Sequence, residues 1–352
     1  MRIAFIGSAG IPNRYGGFES FLEYCAPTLK RMGIATTVTC DARLYEGSDG
    51  PFQGVDRVFI GVPSNGGASV IHDLLAFISV FRHHSHIVVL GVSGGLWFPF
   101  FRLSCSLFGK RLVVNIDGVE WRRGKFSPLK RVLLRAFDAL AQLFAHGVVY
   151  DNDALRPYLL PRSLKKAVMI PYAGDNGLQL SEPPAIQSAT ALTICRIEPE
   201  NQIKLLLEGA LASRLKRYTL VGNWNASEYG RRLRSQYGND ARLDLRDPIY
   251  EPHQLAALRH SHAMYLHGHS VGGTNPSLVE MLFYPVHLMC FDCSFSRATA
   301  GSHARFFSDA PQLAGLIDAT LDLPPPPAPC PARYTSPVIA QAYLNACLGL
   351  TP

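Results

Sequence analysis

A glycine-rich run between residues 266 and 280 contains the residue types that bind anions and sugars. It follows an apolar segment, Ala263 to Leu266, that predicts a short buried strand. Asn275-Pro276-Ser277 then supplies a capping side chain and a first-turn proline, which predict the start of a helix. A glycine turn between strand and helix leaves backbone N–H groups that bind anions such as phosphate, although such a turn also forms without a ligand. Glu280, about one turn into the helix, could accept hydrogen bonds from sugar hydroxyls, so the run suits a nucleotide-sugar diphosphate.

The same run resembles the donor site of retaining GT-B glycosyltransferases of family 4, above all a bacterial subgroup containing rhamnosyltransferases of cell-surface polysaccharide assembly. In the broad family two glutamates lie eight residues apart, and the second contacts the donor ribose. Glu280 matches the second glutamate, whereas Gly272 stands at the place of the first. The subgroup also has Gly-Gly-Thr-Asn-Pro here, so the departure fits it. The donor-binding residues expected in this run are His269, Gly272, Gly273, Thr274, Asn275 and Glu280.

A second part of the resemblance begins after the apolar run Ala191 to Cys195, which predicts a strand. Arg196 follows it, at the place where the family has an arginine that grips the donor diphosphate. Asn201 stands where a lysine is usual, which leaves Lys204, about one turn later, as a substitute. Asn223 lies in a turn where relatives approach the nucleobase. The resemblance therefore implies that Arg196 and Lys204 bind the diphosphate and that Asn223 binds beside the base.

The N-terminal strand, Ile3 to Ile6, leads into a loop that ends in Gly16 and Gly17. Ala9 stands where a dinucleotide fingerprint needs its second glycine, so the loop is not a nicotinamide-binding turn. The run Gly-Ile-Pro-x-x-Tyr-Gly-Gly-Phe-Glu is similar to the N-terminal signature of the same subgroup. That similarity implies that Gly16 and Gly17 let the backbone approach a ligand. From the residues alone, the two glycines could equally be a flexible entry to the next helix.

Acidic residues follow another predicted strand, Arg111 to Ile116. The run Asp117-Gly118-Val119-Glu120-Trp121 lies at the carboxyl end of this strand, which is where open α/β sheets bind ligands. It resembles the Asn-Ile-Asp-Gly-x-Glu-Trp of the subgroup. We therefore expect Asp117 and Glu120 to position the acceptor hydroxyl. The alternative is that Asp117 caps the next helix and Glu120 lies on the surface.

Three patterns permit metal binding, and each has a structural alternative. His267 and His269 share one face of an extended chain, and we expect His269 to position the donor, because the sequence shows no further ligands. Asp151-Asn152-Asp153 matches the D-x-D of GT-A enzymes, but a helix cap is the favoured interpretation. Cys290 and Cys293 form one C-x-x-C without a second pair, which favours buried thiols in a reducing cytosol. The expected site contains no metal and no cofactor.

The composition indicates a globular protein with two domains. The chain has 352 residues, of which 47% are hydrophobic and 17% charged, enough for two domains of about 150–180 residues. We predict an α/β protein with the GT-B fold, in which two Rossmann-like, doubly wound domains face each other across a cleft. The predicted parts are an acceptor domain of the DUF1972 type (1–175), a linker (176–188), a nucleotide-sugar donor domain (189–330) and a C-terminal helix that crosses back to the N-terminal domain (331–352).

The charge pattern favours anionic partners, since the net charge is +7 and the pI is near 9.0. Between Trp121 and Phe137 basic and apolar residues interleave without an acidic one, which predicts a basic amphipathic helix over 121–137 on an anionic membrane surface. A solvated helix face is the alternative, and no nucleic-acid-binding motif accompanies the segment. Residues 87–109 are apolar, but their glycines and proline favour strand, turn and helix over a membrane span. We expect a cytoplasmic protein without a secretory signal, held at the inner face of the plasma membrane.

These expectations combine into a metal-independent, retaining glycosyltransferase. The resemblance implies dTDP-L-rhamnose as the donor, a UDP-sugar as the second candidate, and a lipid-linked saccharide acceptor. Arg196 and the amides of Gly272, Gly273 and Thr274 would stabilise the departing diphosphate, and no protein nucleophile is required. The alternatives are a nucleotide-sugar epimerase of the same architecture, a nicotinamide oxidoreductase, which lacks its fingerprint, and a non-catalytic scaffold at the membrane.

Overall fold

A computed structural model describes residues 1–14, 16–45, 47, 50–119, 121, 127–177 and 180–350. The chain divides into two compact units. Unit 1 contains Met1–Ala173 together with Thr335–Pro352, and unit 2 contains Gly174–Tyr334. Each unit has its own parallel sheet with helices on the connections, which is the Rossmann-like, doubly wound α/β architecture.

Within the described residues, the sheet of unit 1 has seven strands in the order β3-β2-β1-β4-β5-β6-β7. The inner strands β1, β4, β5 and β6 are mostly buried apolar runs, as expected for a parallel sheet covered on both faces, and the edge strands β3 and β7 are only partly buried. From β1 the chain moves towards one edge through β2 and β3, and from β4 it moves the other way, so the order reverses between β1 and β4. The strands are β1 (Arg2–Ile6), β2 (Ala35–Asp41), β3 (Asp56–Ile60), β4 (His86–Leu90), β5 (Arg111–Asn115), β6 (Gly147–Tyr150) and β7 (Ala167–Met169).

The helices of unit 1 form two layers. The chain runs in one direction across the sheet from β3 through β4 and β5 to β6, and right-handed connections place the three intervening helices on one face. The helix that follows β1 packs with the C-terminal helix, where the rings of Phe21 and Tyr343 lie 4.8 Å apart. The helices are α1 (Gly17–Arg31), α2 (Ser69–Phe81), α3 (Phe98–Leu107), α4 (Pro128–Phe144) and the C-terminal α11 (Ser336–Leu348).

Unit 2 repeats this plan, and in its described part the sheet has six strands in the order β10-β9-β8-β11-β12-β13. The order reverses between β8 and β11, which pair in parallel. The strands are β8 (Gln187–Ile194), β9 (Arg217–Val221), β10 (Leu243–Arg246), β11 (His262–His267), β12 (His287–Phe291) and β13 (Ala304–Phe307). The helices are α5 (Ile203–Ala212), α6 (Glu228–Tyr237), α7 (Pro252–Ser261), α8 (Pro276–Met281), α9 (Ser294–Ala300) and α10 (Ala310–Asp318).

Two sequence predictions about helices need correction in their bounds. The basic helix begins at Pro128 rather than at 121, because the hydroxyl of Ser127 caps it by accepting a hydrogen bond from the N–H of Lys130. Of the residues in that prediction, Arg122, Arg123 and Lys125 lie outside the described residues. The helix predicted after residue 153 is a short 3-10 turn, Asp153–Tyr158, which contains Pro157.

The apolar stretch 87–109 forms a strand, a turn and a helix, as predicted. Among the described residues, every helix falls short of the length or apolar character that a membrane crossing needs.

Candidate functional site

The carboxyl ends of β8 and β11 meet at the reversal of strand order in unit 2. The loop after β8 contains Arg196, and the loop after β11 contains the glycine-rich run. Ligands of open α/β sheets bind at this edge of such a reversal. The sheet topology therefore places two predicted donor-binding segments side by side.

Backbone contacts join these two loops directly. The N–H of Ser270 donates a hydrogen bond of 3.0 Å to the carbonyl of Glu200, and the Ser270 hydroxyl donates to the same oxygen at 2.7 Å. At Gly268 a Cβ would collide with the carbonyl oxygen of Asn201. Glycine at residue 268 therefore permits the close approach of the two loops.

Asn201 links the loops through its side chain. Its Nδ2 donates to the carbonyl of Arg196 at 2.7 Å, and its Oδ1 lies 2.6 Å from Nδ1 of His269. The side chain is buried, and its amide oxygen and its amide nitrogen each have the hydrogen-bond partner that a buried polar group needs. The sequence had marked Asn201 only as the place of a missing lysine, whereas the structure gives it a positioning role.

Arg196 itself is exposed on a loop that is fixed at two points. Besides the bond from Asn201 to the Arg196 carbonyl, Oδ1 of Asn223 accepts a hydrogen bond of 2.7 Å from the N–H of Ile197. Lys204 lies in α5, and its Nζ lies 3.6 Å from Oε1 of Glu208 in an exposed ion pair. Asn223, which was predicted to lie beside the nucleobase, thus holds the Arg196 loop. Lys204, which was predicted to bind the diphosphate, has its ammonium group on the exposed surface of α5.

The glycine-rich turn depends on Gly272. Its φ of +137° is a conformation that L side chains rarely adopt, and a Cβ there would lie 2.8 Å from Nε2 of His269. Gly272 is the position where the broad family has its first glutamate. A side chain at this place would collide with His269, so the local backbone conformation does not accommodate a glutamate here.

The helix start that the sequence predicted is confirmed. Oδ1 of Asn275 accepts a hydrogen bond of 3.0 Å from the N–H of Ser277, and Pro276 occupies the first turn of α8. Thr274, just before the cap, is buried. The turn from Gly272 to Asn275 is therefore fixed by a backbone conformation that requires glycine at one end and by a helix cap at the other.

Glu280 takes part in a buried ion pair that the sequence did not indicate. Nη2 of Arg259, at the end of α7, donates to Oε2 of Glu280, and both side chains are largely buried. Burial is the largest single influence on the pKa of Arg259 and lowers it, but Glu280, Tyr284 and Tyr265 together outweigh burial, and the pKa is raised. The guanidinium also lies 5.9 Å from the ring centre of Tyr284. The side chain of Glu280 is thereby held in place, and Arg259 offered no signal in the sequence because its partner lies 21 residues away.

The two histidines after β11 have different surroundings. Their ring centres lie 6.0 Å apart, in agreement with a shared face. His267 is buried, and this burial, with a smaller contribution from His269, lowers the pKa of His267 to about 3. The imidazole of His267 is therefore neutral at physiological pH, while the imidazole of His269 is oriented by Asn201.

A second group of predicted site residues lies in unit 1. Gly16 is the residue before α1 and Gly17 begins it, with Gly16 in an extended conformation. Asp117 follows β5 with a φ of +57°, and its N–H donates to Oδ1 of Asn115 at 2.9 Å. Asp117 is thus held by the strand end and does not cap α4, whose cap is Ser127. Glu120 lies outside the described residues.

Sequence reasoning missed Glu19, a buried carboxylic acid in the first turn of α1. Its Oε1 accepts a hydrogen bond of 2.6 Å from the N–H of Ala9, in the loop after β1. Burial raises the pKa of Glu19 and the negative charge of Asp117 raises it further, against the opposing effect of the Ala9 bond. The available signal was an acidic residue on the otherwise apolar inward face of an amphipathic helix.

The remaining metal-like patterns have local structural roles. Oδ1 of Asn152 accepts a hydrogen bond of 3.0 Å from the N–H of Ala154, so the predicted cap is confirmed. Cys290 is buried, and Cys293 donates through its Sγ to the carbonyl of His269 at 3.4 Å. Within the described part of the chain, no three His, Cys, Asp or Glu side chains are grouped as a metal site would require.

Residues 1–175 match the profile of a family described as "Domain of unknown function (DUF1972)". No curated protein matches the chain. The chain is similar in structure to sucrose-phosphate synthase from Thermosynechococcus elongatus, with 13% identity and a TM-score of 0.71 over 99% of this chain and 96% of that one. For AviGT4, a glycosyltransferase involved in avilamycin A biosynthesis, the identity is 14% and the TM-score 0.66, over 99% and 97% of the two chains.

A third similar structure is HepE of Anabaena, solved with UDP and glucose, at 12% identity and a TM-score of 0.64 over 99% of this chain and 97% of that one. Identities this low establish the fold alone. The predicted GT-B fold class, with two Rossmann-like parallel-sheet domains, is confirmed.

Proposed function

We propose that this protein is a glycosyltransferase that moves a sugar from a nucleotide-diphosphate donor to a saccharide acceptor. The observation that carries the proposal is the junction in unit 2, where Asn201 ties the Arg196 loop to the glycine-rich run. The GT-B fold adds to it, and the HepE structure of this fold was solved with UDP and glucose. A diphosphate held at this junction would lie at the carboxyl edge of the sheet, where such folds bind nucleotides.

Unit 2 supplies groups suited to the charge of the departing diphosphate. We assign the side chain of Arg196 and the N–H groups of Gly272, Gly273 and Thr274 to its oxygens. Lys204 would join them only after leaving its exposed pair with Glu208, which costs little. A single oriented donor to a developing oxyanion contributes about 3–4 kcal/mol to the transition state.

Glu280 would contact the ribose of the donor. Arg259 already binds Oε2, so we assign the ribose hydroxyl to Oε1. The buried pair holds the side chain of Glu280 in place before the donor binds, which reduces the cost of ordering it. His269, oriented by Asn201, would position the sugar or phosphate, and Asn223 would border the nucleobase while it holds the Arg196 loop.

Transfer with retention is assigned to one face of the sugar. The bond from the anomeric carbon to the phosphate oxygen breaks, and the acceptor oxygen forms its bond on the same face. The acceptor proton passes to the leaving phosphate oxygen, so no protein nucleophile, metal or cofactor is needed. Asp117 and Glu120 would orient the acceptor hydroxyl, and Gly16 and Gly17 would let the backbone approach the ligand.

We further propose dTDP-L-rhamnose as the donor and a lipid-linked glycan of bacterial surface polysaccharide synthesis as the acceptor. The resemblance of the Gly-Gly-Thr-Asn-Pro and Asn-Ile-Asp-Gly-x-Glu-Trp runs to the rhamnosyltransferase subgroup supports both. The basic residues of 121–137 support a place at the inner face of the plasma membrane, with its anionic lipids as a partner. The proposed domain roles are donor binding by residues 189–330 and acceptor binding by residues 1–175, with 176–188 as the linker and 331–352 as the returning segment.

A donor panel tests the proposal. Thermal shift with dTDP-, UDP- and GDP-sugars should reveal stabilisation by one base, and mass spectrometry with a lipid-linked acceptor should show a product heavier by one sugar. Arg196→Ala should lose about 100-fold or more in turnover. Near-normal turnover of Arg196→Ala would remove the assignment of the diphosphate site.

An epimerase is the second function to be tested, because a similar structure at 13% identity is a putative UDP-N-acetylglucosamine 2-epimerase from Listeria monocytogenes. An epimerase changes the donor sugar without an acceptor. Conversion of the nucleotide sugar in a reaction that lacks acceptor would therefore favour it over glycosyl transfer.

A further inference from the structure

Large apolar side chains are exposed on one helical layer of unit 1. Among the described residues, thirteen of the twenty-three exposed large hydrophobic side chains lie in or next to α2, α3 and α4. A contiguous apolar surface of this kind on a folded domain marks a place where it meets a protein or a membrane.

The exposed residues share one face of each helix. On α2 they are Ile71, Leu75 and Ile78, spaced by four and three residues, and on α3 they are Phe100, Leu103 and Leu107, spaced by three and four. Such spacing aligns side chains along one side of a helix. Leu103 and Leu107 are 60% and 72% exposed, which is far from the burial of core leucines.

The three helices form a continuous surface. The rings of Phe77 in α2 and Phe101 in α3 stack with their centres 4.0 Å apart, and Phe77 also approaches Phe100, whose ring centre is 6.2 Å away. Next to α3, the backbone at Gly95 packs so closely on Phe137 of α4 that a Cβ would not fit. The apolar stripes of α2 and α3 are therefore adjacent, and α4 borders them.

The exposed charges of this layer are of one sign. In these three helices, all of whose residues are described, the acidic residues are Asp73 and Asp138, and both are buried. The basic residues include Arg102 in α3, which is half-buried, and Lys130 in α4, which is exposed. The surface thus presents apolar and positively charged side chains together.

We propose that the outer face of α2, α3 and α4 lies on an anionic lipid bilayer. The leucines, isoleucines and phenylalanine would enter the boundary between headgroups and acyl chains, and the basic side chains would meet lipid phosphates. A second copy of this chain would bring two positively charged faces together, so charge complementarity favours the bilayer. The proposal extends the membrane contact of the proposed function from the segment 121–137 to α2 and α3, and it rests on that function only for its biological purpose.

Vesicle flotation of the full-length chain tests it. The wild type should float with vesicles that contain phosphatidylglycerol, and weakly or not at all with phosphatidylcholine alone. A Leu103→Ser/Leu107→Ser variant should reduce partitioning by about tenfold or more, and Arg102→Glu/Lys130→Glu should remove the preference for anionic lipid. The matched control is Tyr250→Ser/Val338→Ser, which removes two exposed apolar side chains elsewhere (77% and 46% exposed) and should float as the wild type does.

Three results would overturn the proposal: no flotation of the wild type, unchanged flotation of Leu103→Ser/Leu107→Ser, or a dimer by light scattering that this variant dissociates. Circular dichroism of each variant confirms that it is folded. Thermal shift with nucleotide sugars separates this proposal from the proposed function. A wild type that floats but binds no donor would remove the transferase and leave the membrane face in place.

Discussion

The side chain of Asn201 is hydrogen-bonded to His269, with 2.6 Å between Oδ1 and Nδ1, and so connects the loops that follow β8 and β11. Its amide nitrogen holds the carbonyl of Arg196 at the same time. One buried amide therefore sets the relative positions of the proposed diphosphate-binding arginine and the glycine-rich turn. Had this residue been the lysine usual in the family that the sequence resembles, the hydrogen bond to Nδ1 of His269 would lose its acceptor, since an ammonium group has none.

Asn201→Ala should therefore weaken donor binding more than it weakens folding. Leaving the buried partners unsatisfied costs about 1–3 kcal/mol of stability, while the loss of loop positioning should raise the donor concentration needed for half-saturation. Asn201→Asp keeps an acceptor for His269 but loses the donor to Arg196, so it separates the two bonds. Isothermal titration with the donor, alongside denaturant unfolding, measures both effects. Equal donor affinity in wild type and Asn201→Ala would contradict the positioning role.

Gly272→Ala should disrupt the turn although it adds only one methyl group. The φ of +137° strains any side chain, and the new Cβ would lie 2.8 Å from Nε2 of His269. We expect a loss of about 1–3 kcal/mol in stability together with a large loss of donor binding, measured by chemical denaturation and by thermal shift with the donor. Gly315→Ala in α10 is the matched control, because a Cβ there meets no atom within 4 Å. It should be neutral or stabilising, since alanine is favoured over glycine within a helix.

The sequence predicts much of this site but not its supporting contacts. Strand, glycine turn, cap and proline are local patterns, and they led to β11, Gly272, Asn275 and Pro276 at their observed places. The pairing of Glu280 with Arg259 could not be predicted, because it joins α7 to α8 across the intervening strand. The same holds for Asn201. One of its partners, His269, is 68 residues away in the sequence, and the other is the backbone carbonyl of Arg196. Residues that position others through tertiary contacts leave no periodic signal.

Breaking the Arg259–Glu280 pair should be among the most destabilising single changes in unit 2. Removing one partner leaves the other charge buried, which costs about 3–5 kcal/mol. Arg259→Met and Glu280→Gln should each lower the free energy of unfolding by that order, and the double variant should recover part of the loss. Urea unfolding of all four proteins gives the coupling. Arg297→Ala, which breaks the exposed pair with Asp292, is the control and should cost at most about 1 kcal/mol. An equally small cost for Arg259→Met would show that the buried pair is not formed.

Glu19→Gln should stabilise the protein relative to the wild type, and the difference should grow as pH rises. Burial, together with the charge of Asp117, raises the pKa of Glu19 above its ordinary value of 4.5, so the folded chain keeps a proton that the unfolded chain releases. The contribution of this group to stability is therefore complete below pH 4.5 and is lost as pH increases through the raised pKa. Glutamine retains an oxygen for the N–H of Ala9 and does not titrate. The melting temperature of Glu19→Gln minus that of the wild type should therefore be near zero at pH 4 and positive above it.

Asp117→Asn in the wild-type background should reduce this pH dependence, because it removes the neighbouring charge. The exposed Glu182→Gln serves as the comparison for a general loss of negative charge. A melting-temperature difference for Glu19→Gln that stays constant from pH 4 to pH 8 would mean that Glu19 is ionised in the folded protein and that its carboxylate is not coupled to Asp117.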